Sequence, residues 1–259
     1  MNAPLIATRG LYKRFGAVVA VDNVTVEIAP GETVGIIGAN GAGKTTFVNI
    51  VTGYLKPDEG VILFRGVDIT PMPPREVTRL GIRRSFQVAQ LFPNLSVRDN
   101  ALVAFACAER TRPTPTTILR TPARLAQANE ILARLGIEEF ADRPTPELPQ
   151  GQRKLLDIAL AMVGRSAVLL LDEPTSGISA NEKLQLMDLV MGAVAAEGAA
   201  VLFVEHDMEV IERYAPRVIA FYEGRVIADG VPAVVLADAD VRRYVVGAEL
   251  HRRAEGVRA

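Results

Sequence analysis

Cysteine, histidine and net charge are all scarce in this chain of 259 residues: one Cys, two His, and 29 Lys and Arg against 30 Asp and Glu, a net charge of −1. A single cysteine, Cys107, excludes an intrachain disulfide and suits a reducing compartment; it reads as a small buried or half-buried apolar residue without thiol chemistry. The balanced charge, with pI about 6.2 and basic residues scattered along the chain, lacks the electrostatic footprint of a nucleic-acid binder, and none is expected as a partner. No apolar run reaches the length of a bilayer span, and Met1 to Ile6 lacks the basic start and long apolar core of a signal peptide, so a cytosolic chain is expected. No linker-like stretch splits the sequence, and no internal repeat is visible. Mean hydropathy is nevertheless +0.20, carried in many short Val/Ile/Leu runs. Such runs suit buried parallel strands and a docking surface.

Against that background one stretch stands out. Gly38-Ala39-Asn40-Gly41-Ala42-Gly43-Lys44-Thr45 is a full GxxxxGK[ST] phosphate-binding loop, between an apolar run at 33–37 and a helical pattern at 46–53. Glycines at 38, 41 and 43 let the backbone take positive φ and turn its N–H groups around an anion. The loop opens a helix, whose unsatisfied N–H groups and partial positive charge favour phosphate oxygens. Lys44 adds a full charge near the β- and γ-phosphates, Thr45 offers a hydroxyl to Mg²⁺, and Thr46 is placed to bond a phosphate oxygen. A ligand-free glycine turn would explain the glycines but not a lysine and two hydroxyls at these offsets.

The rest of the chain alternates strand and helix signals. Short stretches at 5–8, 18–21 and 24–28, broken by Gly10, Gly16 and Asp22-Asn23, predict an antiparallel β-meander. Residues 94–146 change to helical spacing at 97–107 and 122–135, with prolines and no convincing strand, which predicts an inserted helical lobe. The segment 110–121 reads as a mobile loop within it. From 151 the rhythm is helix 151–163, strand 168–171, helix 180–196, strand 200–204, helix 207–214 and strand 218–222, as right-handed βαβ units require. The tail from Val234 reads as helical and charged, ending loosely.

Two strand ends carry chemistry. The apolar run 167–171 ends in Asp172-Glu173-Pro174-Thr175, and ligands of open α/β sheets bind at the carboxyl ends of strands. Asp172 can hold Mg²⁺, directly or through water, and Glu173 can orient and polarise an attacking water. The run 201–204 ends in Glu205-His206-Asp207, which places His206 to bond a γ-phosphate. Gln87, just past strand 82–86, can reach Mg²⁺ or the water. His251, beside Arg252 and Arg253, reads as solvated.

These residues, in this order, resemble the nucleotide-binding subunits of ATP-binding cassette (ABC) transporters along nearly the whole chain. The resemblance implies an α/β fold: a P-loop NTPase (RecA-like) core with an N-terminal antiparallel β-subdomain and an inserted helical subdomain. Within the single ABC ATPase domain of residues 1–259, the core is expected at 1–88 and 153–259, the helical subdomain at 89–152 and a loose tail at 247–259. In that family's terms Gly38 to Thr45 is the Walker A loop, Gln87 the Q-loop and Val168 to Leu171 the Walker B strand, leading to Asp172 and the catalytic Glu173. Ser176-Gly177-Ile178-Ser179 is the D-loop, His206 the switch histidine, and Phe15 the aromatic that stacks on adenine.

Leu148-Pro149-Gln150-Gly151-Gln152 stands where the LSGGQ signature is expected, with Pro149 in place of serine and Gln150 in place of glycine. Pro149 has no donor, so contact with the partner's ATP would come from backbone N–H groups and the helix beginning near Gly151. The D-loop ends in Ser179 where aspartate is common. These departures also suit a slower ATPase.

Arg84-Ser85-Phe86-Gln87, Leu91-Phe92-Pro93-Asn94-Leu95-Ser96-Val97 and Arg153-Lys154 are similar to the branched-chain amino acid importer subgroup, whose relatives serve urea, amides and aromatic acids; a lipopolysaccharide-export ATPase is also similar. The expected assembly is two such subunits, in a homodimer or a heterodimer, head to tail around two ATP with Mg²⁺. Transmembrane permease subunits would be gripped near Arg83, 87–92 and the lobe, at the cytoplasmic face of the inner membrane, with a periplasmic solute-binding protein acting indirectly. A soluble ABC ATPase of DNA repair or translation would predict two cassettes, a coiled-coil insertion or a basic groove, and none is present. A nucleotide-binding module with little hydrolysis remains the other alternative, against which Glu173 argues.

Overall fold

The computed structural model describes residues 3–85, 89–109, 118–164 and 166–247. In chain order the strands are β1 (Ile6–Phe15), β2 (Val18–Ile28), β3 (Thr33–Gly38), β4 (Glu59–Phe64), β5 (Val67–Asp68), β6 (Ile82–Arg84), β7 (Val168–Asp172), β8 (Ala200–Val204), β9 (Arg217–Tyr222) and β10 (Arg225–Gly230). The principal helices are α1 (Lys44–Val51), α2 (Pro74–Arg79), α3 (Val97–Ala108), α4 (Pro122–Arg134), α5 (Gln150–Met162), α6 (Ala180–Glu197), α7 (Met208–Tyr214), α8 (Pro232–Val235) and α9 (Ala239–Val241). The chain divides into two compact units, one of residues 1–80 with 200–259, the other of residues 81–199.

The first unit holds two sheets. One is antiparallel, in the order β2-β1-β4-β5, with Ile6 opposite Ile28 on one side and Phe64 on the other. In the other, β3 lies between β8 and β9 and is parallel to both, while β10 closes one edge antiparallel to β9. All five residues of β8 are buried, as are five of the six in β3, which is why both read as continuous apolar runs without alternation. Helix α1 buries Phe47, Val48, Ile50 and Val51, and the Phe47 ring meets Phe221 of β9 at 5.4 Å between centroids.

In the second unit β6 and β7 run parallel, with Ile82, Arg83 and Arg84 opposite Val168, Leu169 and Leu170. Helices α3, α4 and α5 pack through Ala101, Leu102, Ala128, Phe105, Leu125 and Leu160. Ser96 caps α3 by accepting from the Asp99 N–H, and Thr121, with Pro122 following, caps α4 by accepting from Arg124. Gly198 ends α6 in the left-handed conformation.

Several details depart from the sequence reading. Asp22-Asn23 looked like a break between two strands, yet β2 runs through it. The register steps from Leu11↔Val24 to Lys13↔Val21, so the extra residue is a bulge, with Asn23 at φ 51. Helix α5 begins at Gln150 and α1 at Lys44, earlier than their apolar spacing suggested. Cys107 is exposed, not buried or half-buried, because α3 turns Ala101, Leu102 and Ala106 inward and leaves position 107 outside. The tail is helical to residue 247; residues 248–259, with His251, and the stretch 110–117 lie outside the described residues. Among the described residues no helix is long and apolar enough to cross a membrane.

Candidate nucleotide-binding and hydrolysis site

In the first unit, β3 delivers the chain at Gly38 and α1 takes it up at Lys44, so the intervening loop is short and fixed at both ends. The Ala42 N–H closes a turn onto the Ala39 carbonyl, and the Gly224 N–H, from the β9–β10 turn, donates to the Ala42 carbonyl at 3.0 Å. Gly43 stands at φ 99, and a Cβ there would lie 2.2 Å from the Ala20 carbonyl oxygen of β2. Only glycine satisfies both the dihedral and the space. The sequence marks Gly43 by its motif; what crowds it, a carbonyl 23 positions earlier, no local pattern shows.

Lys44 is 6% exposed, and its ammonium donates to the Gly38 carbonyl at 2.6 Å and to the Ala39 carbonyl at 3.1 Å. The cation is thus folded back over the loop and pre-positioned by backbone oxygens. Asn40 and Gly41 are exposed, Ala42 is buried, Thr45 is exposed and Thr46 half-buried, so the Thr45 hydroxyl is open to a ligand at the start of α1. The first N–H groups of any helix have no intrahelical partner, which makes this end a ready anion site.

His206 follows β8 as Gly38 follows Ile36: Ile36 pairs with Val204, and each of the two residues lies two positions further on. The strand end is held by the Glu205 N–H on the Ile36 carbonyl, and the Glu205 carboxylate, 3% exposed, accepts from the His206 N–H at 3.1 Å. His206 itself is half-buried. Phe15, at the end of β1, is 51% exposed beside Val18 at 66%, an apolar face wide enough for a flat ring. Lys13 lies 5.7 Å over the Phe15 ring and is paired with Asp58 at 2.6 Å. That hydrogen bond and the Arg14 N–H hold the Asp58 carboxyl below the usual carboxylate range.

The second unit carries the acids and the signature. Asp172 is the last residue of β7, 3% exposed, and its Oδ2 accepts from Arg84 Nη2 at 2.5 Å. Glu173 sits at φ 48, in the left-handed region that Asn23, Arg65 and Glu223 also occupy. The Ser176 N–H bonds the Glu173 carbonyl and Ile178 that of Thr175, folding the D-loop stretch into tight turns. Pro149 is the N-cap of α5 and offers no side-chain cap; Arg153 instead ties Leu148 and Pro146 through their carbonyls at 2.8 and 2.6 Å.

Gln150 lies directly on Gly177: a Cβ on that glycine would stand 2.1 Å from Nε2 of Gln150. The unorthodox signature residue therefore packs on the D-loop, a contact the sequence reading missed. Gly151 lies under Ile178, and Gln152 is half-buried. Ser179 stands at the N-cap position of α6 without a side-chain bond to the helix N–H groups; its hydroxyl bonds the Glu182 carboxylate instead. Gln87 lies outside the described residues.

Residues 21–176 match the family model described as "ABC transporter". The chain is 35% identical over 254 residues to the high-affinity branched-chain amino acid transport ATP-binding protein LivG of Escherichia coli K12, covering 95% of this chain and 99% of that one. Among solved structures it is similar to the ADP conformation of MJ1267, an ATP-binding cassette of an ABC transporter, with TM-score 0.84, 30% identity and coverage of 93% and 98%. It is also similar to the dimeric post-hydrolysis cassette MJ0796 bound to ADP and Pi, with TM-score 0.76, 26% identity and coverage of 88% and 98%. The family model covers more than half of the chain and relatives such as LivG match nearly all of it, so this chain belongs to the ABC family as an ATP-binding, ATP-hydrolysing transporter subunit.

Proposed function

We propose that the chain powers the import of branched-chain amino acids or a closely related small solute, as one of two ATPase subunits peripheral to the cytoplasmic face of the membrane. The likeness to LivG over nearly the whole of both chains supports the solute class, and the dimeric cassette among its structural relatives supports the pairing. In this reading the loop N–H groups and Lys44 bind the β- and γ-phosphates, Phe15 stacks on adenine, and Thr46 bonds a phosphate oxygen. Pro149, Gln150, Gly151 and Gln152 face the nucleotide of the other subunit. His206 holds the γ-phosphate, and Glu173 takes a proton from the attacking water.

The donor set suits Mg²⁺. That ion is usually held by one or two carboxylates, a hydroxyl and substrate phosphates. Here Thr45 offers an exposed hydroxyl and Asp172 a strand-end carboxylate, with Gln87 a further amide; among the described residues no cluster of three or more His, Cys, Asp or Glu forms an all-protein cage. Bound there, the ion would neutralise charge that develops on the transferred phosphoryl group.

The observation that carries the enzyme reading is the place of Glu173, directly after Asp172 at the carboxyl end of the fully buried strand β7. Phosphate release by the purified chain, set beside that of Glu173→Gln and Lys44→Ala, tests it: equal rates in all three would sink the reading. For coupling, a cleft of about 400 Å³ in the second unit, lined by Ala89, Leu91, Pro93, Thr145, Pro146 and Gln150, with Phe92 53% exposed, suits a permease helix. Crosslinking of Leu91→Cys into the copurified permease checks this; contacts confined to other faces would refute it. A ligand screen of the cognate solute-binding protein would identify the cargo.

A further inference from the structure

Strand β6 is three residues long, yet it carries two adjacent arginines whose side chains, by the two-residue period of a strand, leave opposite faces. Arg83 turns to the carboxyl end of α5, where it donates to the carbonyls of Val163 and Gly164. Those are among the carbonyls a helix leaves without partners, and a cation there also complements the helix dipole. Burial pulls the Arg83 guanidinium below its ordinary pKa, with Glu197 acting in the opposite direction. Its role is explained by the fold.

Arg84 turns the other way. It pairs in register with Leu170, so the same face of the sheet next presents Asp172, and Arg84 Nη2 lies 2.5 Å from Asp172 Oδ2. The two side chains are 7% and 4% exposed. An aspartate so withdrawn from water is strongly disfavoured as an anion unless a cation accompanies it, and removing one member of a buried pair strands the other. Fold stability alone would be served by an apolar pair of similar volume. The position of the acid, at the end of β7 and immediately before Glu173, gives the pair a different meaning.

We propose that Arg84 is a positioning residue that serves as the resident counter-ion of Asp172, occupying this carboxylate in the metal-free protein and opposing Mg²⁺ there. The proposal rests on the reading of Asp172 as the metal carboxylate. Two consequences follow from one charge. Arg84 supports the fold by pairing the buried Asp172 side chain, and it weakens Mg²⁺ binding, because a dication approaching Asp172 meets a guanidinium already bonded to it. The ion is then held firmly only when nucleotide phosphates add their own charge, so that metal and nucleotide arrive and leave together.

The test uses the full chain, fluorescent ADP and two readouts besides turnover: the half-saturating Mg²⁺ for ADP binding, and the rise in melting temperature when Mg²⁺ is added to the ADP complex prepared in EDTA. Arg84→Gln keeps a donor to Asp172 and loses the charge; half-saturating Mg²⁺ should fall about tenfold, with a lower melting temperature in EDTA and a larger rise on adding the metal. Arg84→Lys restores the charge and should return half-saturating Mg²⁺ to within about threefold of the parent. Arg83→Met should lower the melting temperature without moving the Mg²⁺ requirement, since it removes a buried cation that does not touch Asp172.

An unchanged Mg²⁺ requirement in Arg84→Gln, a lysine variant as shifted as the glutamine one, or an equal shift in Arg83→Met would each overturn the proposal. Asp172→Asn separates the two layers of the argument. If it leaves the Mg²⁺-dependent rise intact, the metal reading of Asp172 itself fails. If it abolishes that rise while Arg84→Gln changes nothing, only the counter-ion role of Arg84 fails.

Discussion

In the unit of residues 3–80 and 200–247 the groups offered to a phosphate are mostly backbone: loop N–H groups, shaped by Gly38, Gly41 and Gly43, with a lysine held by the Gly38 and Ala39 carbonyls. In the unit of residues 81–199 the corresponding work falls to side chains, Asp172 on Arg84, Glu173 in a left-handed conformation, and Gln150 on Gly177. Backbone sites tolerate little change of sequence, because Gly38 and Gly43 answer to both a dihedral and a clash and Gly41 to a dihedral. Side-chain sites can be rebuilt with other residues, provided that the partners change as well. This difference accounts for an orthodox phosphate loop beside an unorthodox signature and D-loop in one chain.

The comparison can be tested from both sides. The largest effect is expected from Glu173→Gln, which should lower phosphate release by about 10²–10⁴-fold while ADP binding, measured by fluorescence, stays within a few-fold of the parent. Gly43→Ala should break the backbone site as a whole, costing about 1–3 kcal/mol of stability in denaturant titration and abolishing nucleotide binding, since the added Cβ meets the Ala20 carbonyl at φ 99. Ser179→Ala, on the side-chain half, should cost no more than about 0.5 kcal/mol in denaturant titration, since the exposed hydroxyl bonds only the Glu182 side chain and caps no N–H of α6, and should leave ADP binding intact. If Ser179→Ala instead changed ATP affinity as strongly as Gly43→Ala, the contrast between the two regions would collapse.

The smallest effect concerns Asp58. Its folded-state pKa is depressed below the ordinary aspartate value of 3.8 by Lys13 and the Arg14 N–H, so its contribution is present above that value and is lost as pH falls through the lower, folded one. Melting curves of Asp58→Asn and the parent should differ near neutral pH and converge in acid. A difference that grew on acidification would reverse the sign of this linkage.

Sequence made the framework legible where a single element decides its own pattern. Strands β3, β7 and β8 are buried on both faces and so spell unbroken apolar runs; α6 shows its period over 18 residues and its stop at Gly198. The phosphate loop, the acid pair and His206 were readable for the same reason, being short and contiguous. The bulge at Asp22-Asn23 was not, because it depends on how β2 is paired with β1, a matter of register between strands. The partners of Asp172 and Gly177 escaped likewise: Arg84 lies 88 positions from its acid, and nothing in the local spacing of either announces the other. Cys107 was misjudged because α3 is apolar on more of its surface than it buries.

The seating of Gln150 on Gly177 bears on engineering. Swapping in the commoner signature would delete a side chain that lies against the D-loop, whereas a larger residue at 177 would be strained at φ 75 and would have to displace the end of the glutamine. The two motifs touch at this point. Chimaeras made with other cassettes should therefore exchange both segments together, with a crossover point that never falls between residues 150 and 177.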